Sequence, residues 1–85
     1  MVTTATTNGL DSAERDVLYV VVGVDGDDAL AQRLDAAGLW PGVRVQKIGK
    51  APFGDPLLFR LHGYRLALRR AEAARVRVVV DEASR

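Results

Sequence analysis

The chain contains no cysteine, so it can build no disulfide, zinc knuckle, iron–sulfur cluster or thiol nucleophile. Histidine is nearly as scarce: His62 is the only one. It stands beside Gly63 at an expected hairpin tip, where it reads as an exposed turn residue, not a general base. A metal site needs about four ligands converging from His, Cys, Asp or Glu. The one acidic cluster is Asp25, Asp27 and Asp28 around Gly26. It lacks the roughly 12-residue frame and terminal glutamate of a calcium loop, and it reads as helix capping. No catalytic residue, no metal ligand and no cofactor-binding residue is therefore assigned. Long apolar runs are missing too. The longest, Val17 to Val24, has eight residues, far short of the roughly 20 that span a bilayer. The opening Met-Val-Thr-Thr-Ala-Thr-Thr-Asn has neither the basic start nor the apolar stretch of a secretory signal, so the expected location is cytoplasmic, without membrane insertion. Gly23-Val24-Asp25-Gly26 is not a Gly-x-Gly-x-x-Gly phosphate loop, and the aspartates beside it would repel a phosphate.

What remains is a chain of 85 residues, 48% hydrophobic and 27% charged, the length and composition of one globular domain. Residues 1–12 are rich in Thr, Asn, Gly and Ser without apolar periodicity and are expected to form a mobile tail. Residues 13–80 form the domain, and 81–85 are a fraying end. The β-branched run 17–24 reads as a strand. Leu30, Leu34 and Ala37 recur at helical spacing, with Asp27 as N-cap and Gly38 as the stop, which predicts a helix of about three turns. Pro41-Gly42 is a turn signal. Val43, Val45 and Ile48 belong to a second strand whose spacing breaks at Gln46-Lys47, which calls for a bulge. Pro52, Gly54 and Pro56 shape a rigid reverse loop around Phe53. Leu57, Phe59 and Leu61 point inward, as do Tyr64, Leu66 and Leu68 beyond a hairpin turn at His62-Gly63. A short helical turn over 69–74 precedes a last strand at Val76, Val78 and Val80.

Strand, helix, three meandering strands, helical turn, strand: this order predicts a mostly β fold. About five short strands in so few residues avoid open edges best by closing into a small SH3-like barrel. Its core claims Tyr19, Phe59 and Tyr64. Trp40, with Leu39 and Pro41 around it, and Phe53 are then the candidate partner contacts, each either an exposed anchor or a lid over one end of the barrel.

Leu34-x-x-x-Gly38-Leu39-x-Pro41-Gly42-x-x-Val45, then Pro52-Phe53-Gly54-Asp55-Pro56-Leu57, then Gly63-Tyr64-Arg65-Leu66-Ala67-Leu68-Arg69-Arg70-x-Glu72-Ala73-x-x-Val76-x-Val78 together resemble the ferrous iron transport protein A (FeoA) family over about residues 17 to 80. The resemblance implies an SH3-like barrel in the cytoplasm that acts with the membrane ferrous iron transporter, FeoB, whose cytosolic portion contains a GTPase domain. The same module also ends iron-dependent repressors of the diphtheria toxin repressor type. There it follows a DNA-binding helix-turn-helix that this sequence, with a single good helix, does not contain.

Charge supplies the alternative reading. Residues 1–42 hold seven acids against two bases, a net of −5, whereas residues 43–85 hold ten bases against four acids, a net of +6. Such polarity could steer an anionic partner or pair the chain with a second copy of itself, unless the two halves interleave in space. Two functions follow: an interaction module that binds and regulates the iron transporter, and a nucleic-acid-associated barrel using Arg60, Arg65, Arg69, Arg70, Arg75 and Arg77. Steep salt dependence of DNA or RNA binding would mark the second. Its weakness is that Phe59 and Tyr64 lie in the inward phase, away from those arginines, so stacking platforms are absent.

Overall fold

The computed structural model describes residues 7–82. Six strands, β1 (Asn8–Gly9), β2 (Leu18–Val24), β3 (Arg44–Lys50), β4 (Leu57–Leu61), β5 (Tyr64–Leu68) and β6 (Val76–Val80), form one antiparallel sheet in the order β1-β6-β2-β3-β4-β5. Two helices, α1 (Ala29–Ala36) and α2 (Arg70–Ala73), interrupt them. Buried side chains from both ends of this order, Leu68 on β5 with Val76 and Val78 on β6, meet Phe59, Leu57, Val45, Val21 and Leu39 in one cluster. The sheet is therefore rolled about a single core, as a mostly β barrel requires.

The alternation expected of β4 holds, with Leu57, Phe59 and Leu61 buried. Leu61 and Tyr64 pair across a two-residue turn in which His62 and Gly63 take φ of 53° and 79°, the left-handed pair of a type I′ hairpin. Pro41-Gly42 is the centre of a turn closed by the Val43 amide donating to Trp40 O at 3.1 Å, with Gly42 at φ 91°. The loop around Phe53 is closed by the Gly54 amide donating to Ala51 O at 2.8 Å and the Ala51 amide to Pro56 O at 2.9 Å.

Four expectations need correcting. Residues 8–12 are not an unpaired tail: β1 pairs with β6, a 3₁₀ turn follows over Leu10–Ser12, and Leu10 is fully buried. Composition misleads here because one leucine anchors an otherwise polar stretch. The fraying end is likewise tied down at Asp81, whose carboxylate lies 2.9 Å from Arg44 Nε and whose amide donates to Leu18 O at 2.9 Å. Residues 1–6 and 83–85 lie outside the described residues. The cap of α1 is Asp28, one residue later than expected, because its side chain reaches the Ala31 amide at 3.1 Å, and the helix is eight residues long. The bulge in β3 falls between Lys47 and Gly49, one step beyond Gln46-Lys47.

Candidate functional site

The last carbonyls of α1 have no partner within the helix and must be satisfied from outside. The Gly38 amide donates to Asp35 O at 2.9 Å, and three aromatic side chains reach the carbonyls at and just beyond the helix end. The Trp40 indole N–H donates to Asp35 O at 2.7 Å, the Tyr64 hydroxyl donates to Ala37 O, and His62 Nε2 lies 3.2 Å from Gly38 O. Gly38 is the residue that permits this. At φ 98° it ends the helix, and a Cβ there would sit 2.8 Å from the Tyr64 hydroxyl and 3.1 Å from the His62 ring. The three rings form a row, Trp40 tilted on His62 at 5.7 Å and His62 stacked on Tyr64 at 5.9 Å. Their faces stay wet: Trp40 is 49% exposed and Tyr64 43%. Beside the row, a shallow groove between α1 and β2 is lined by Val24, Ala31, Leu39 and Pro41, with Asp27 and Asp35 on its rim.

The candidate contacts therefore part company. Trp40 is neither a lid over the core nor loose on the surface; it is pinned with one face exposed. Leu39 is 1% exposed and belongs to the core, forming the floor of the groove, so it offers a partner almost no surface. Phe53 is 100% exposed. Its loop is held by Arg70, whose Nε donates to Gly54 O at 2.9 Å and whose amide donates to Asp55 Oδ1 at 3.0 Å. Phe53 and Trp40 do not form one patch. Trp40 rests on His62 at the far end of β4, whereas Phe53 precedes its start, a separation of about 17 Å along five residues of strand.

Tyr64 and His62 are the members of the aromatic row that sequence reasoning missed. Tyr64 has the inward phase expected of it, since it pairs with buried Leu61. It opens an edge strand, however, where the core has ended, and its ring reaches out to the helix instead. Leu66 on the same strand is only half-buried for the same reason. The available signal was a helix stop at Gly38 with Trp40 as the one nearby side chain in sequence that reaches its carbonyls, which leaves Ala37 O and Gly38 O to partners distant in the chain.

At the other end of α1, the arginines of the second half of the chain meet the acids of the first. Arg75 Nη2 lies 2.6 Å from Asp28 Oδ1, its Nε donates to Asp25 O at 2.9 Å, and Arg77 pairs with Asp25 at 2.9 Å. Arg33 bridges α1 to Glu72 of α2 at 3.2 Å. The two sequence halves interleave, and much of their opposed charge is matched internally. Among the described residues, Asp25, Asp27 and Asp28 are not part of any group of His, Asp and Glu placed to hold a metal ion. Of the six arginines, Arg70, Arg75 and Arg77 serve the fold directly, while Arg60 and Arg65 face each other across β4 and β5 without an aromatic between them.

The Arg75 hydrogen bond first, and the Ala31 amide second, hold the Asp28 carboxyl below its ordinary value of 3.8. A lowered folded-state pKa contributes stability above the unfolded value that is lost as pH falls through the folded one. Asp28→Asn keeps a competent N-cap but removes the charge. Its stability deficit, read from urea midpoints, is expected to shrink between about pH 5 and pH 3. A deficit that stays constant over that range would show that the ion pair contributes nothing.

A family model, described as the FeoA domain, matches residues 9–80. Among solved structures, a FeoA-like protein from Clostridium acetobutylicum is 33% identical with a TM-score of 0.83, the match covering 93% of this chain and 91% of that one. Stenotrophomonas maltophilia FeoA, solved in complex with zinc and described as a prokaryotic SH3 domain protein suggested to act as a ferrous iron transport activating factor, is 39% identical with a TM-score of 0.72, covering 94% of both chains. A manganese-dependent transcriptional repressor shares the fold, at 16% identity and a TM-score of 0.79. A search of curated proteins returned no match. Among the described residues, no helix is long and apolar enough to cross a membrane.

Proposed function

The chain belongs to the FeoA domain family, and from that premise we propose that it is a non-enzymatic accessory factor of ferrous iron uptake that binds and regulates the cytosolic part of the membrane ferrous iron transporter, FeoB. The observation that carries the reading is the aromatic row Trp40–His62–Tyr64. Interface hot spots favour tryptophan and tyrosine because their large surfaces gain much on desolvation. Rings already fixed by hydrogen bonds lose little further freedom on binding. The groove beside Trp40 adds an apolar floor and an acidic rim, suited to a partner segment that combines an aliphatic side chain with a cation. Phe53, on its braced loop, is a second contact for the same large partner.

Trp40→Ala is expected to weaken binding to the purified cytosolic portion of the transporter by at least about 2 kcal/mol. Folding stability should fall by only about 1 kcal/mol, the value of one hydrogen bond. Both are measured on the same protein, by calorimetry and by urea unfolding. Unchanged binding would remove the aromatic row from the interface. Phe53→Ala in the same assay, with no stability change, establishes whether the loop belongs to it.

A further inference from the structure

We propose that a second recess, at the bulge of β3 and away from the aromatic row, binds an organic phosphate: a phosphate group carried on a small apolar body. It is half open to solvent, has a volume of about 540 Å³ and is lined by Arg15, Lys47, Ile48, Gly49, Lys50 and Leu58.

The bulge creates this arrangement. Lys47 and Lys50 are three apart, and on a regular strand they would project to opposite faces. Here Lys47 stands opposite Phe59 and Lys50 opposite Leu57, so three steps on β3 match two on β4, and where the ladder is broken Lys47, Lys50 and Leu58 line one recess. Arg15 joins them because it bridges to Lys47 and the Asp16 amide donates to Lys47 O at 3.0 Å. Three cations thus line one recess, with Ile48 and Leu58 as its apolar wall.

Among the described residues, five of the eight other cations, Arg33, Arg44, Arg69, Arg75 and Arg77, are spent on carboxylates within the fold. Among the described residues, neither Lys47 nor Lys50 enters an ion pair, and Arg15 has only its neighbour Asp16, at 3.8 Å with both side chains more than 70% exposed. That leaves a net charge of about +2 at the recess, which a phosphate monoester, carrying about −1.5 to −2 near neutral pH, neutralises better than a single carboxylate does. The fork of Arg15 suits two phosphate oxygens, and the lysines act as point charges. The volume lies in the range of small-molecule sites, about 300 to 1,000 Å³.

The test is titration of the full chain, followed through its backbone amide NMR shifts, with inorganic phosphate and with phenyl phosphate. Shifts are expected to concentrate at residues 15, 47–50 and 58, with phenyl phosphate binding several-fold tighter because its ring lies on Leu58. Lys50→Glu should weaken both by about tenfold or more, and Leu58→Ala should abolish the preference for phenyl phosphate while leaving inorganic phosphate within about twofold. Amide spectra of the variants report that each remains folded. The proposal is overturned by shifts that spread evenly over the exposed arginines, by absence of saturation at millimolar ligand, or by affinity that Lys50→Glu leaves unchanged.

Discussion

Replacing Phe59 with alanine is expected to cost about 3 to 5 kcal/mol of folding stability. The ring is fully buried at the middle of β4 and is the largest of the completely enclosed side chains. It packs within the cluster that draws on both ends of the sheet order, so a cavity there loosens the barrel on every side. A domain of this length has a total stability of about 4 to 13 kcal/mol, so the loss is a large share of it. Urea unfolding provides the measurement. Should Phe59→Ala leave no folded baseline, Phe59→Leu retains most of the volume and is expected to lose only about 1.5 kcal/mol. A loss below about 0.5 kcal/mol for the alanine variant would mean that the opposite face of β4, bearing Leu58 and Arg60, is the buried one.

That face was legible in the sequence because alternation in β4 is regular: apolar residues at 57, 59 and 61, and a two-residue turn that fixes the register of the hairpin after it. The helix stop at Gly38 and the turn at Pro41-Gly42 were equally plain, since each needs a residue with unusual backbone freedom at a defined place. The site was less so. Which aromatic side chains leave the core depends on where a strand ends in space, and strand phase alone assigned Tyr64 to the interior. The proximity of His62 to Gly38 spans 24 positions in the chain and leaves no local pattern. Leu39, offered as a partner contact, folds back onto the last turn of the helix: its amide donates to Leu34 O at 3.3 Å and its side chain is buried. Trp40, which strand and helix patterns leave open between an exposed anchor and a lid, is half-exposed, and its tie to Asp35 O is a tertiary consequence of that same reversal.

The polar start of the chain gives the other large expected effect. Leu10 is fully buried, packed in the same cluster as Tyr19 and Val78, and the 3₁₀ turn it begins lies against α2. Around it the segment is held only lightly: β1 contributes two residues to the sheet, and the Ser12 hydroxyl donates to Gly9 O at 2.9 Å. The attachment of residues 8–12 thus depends mainly on one side chain. Leu10→Ala is expected to destabilise the domain by about 2 to 5 kcal/mol, the range for burying an alanine where a leucine was enclosed. Ser12→Ala, which removes one exposed hydrogen bond, should cost less than about 0.5 kcal/mol and serves as the control. Amide exchange of Asn8 and Gly9 should accelerate in the Leu10 variant beyond what its global stability explains, because β1 would open before β6 leaves β2. If Leu10→Ala instead matches the control, the segment is a tail after all, and β6 rather than β1 is the true edge of the sheet.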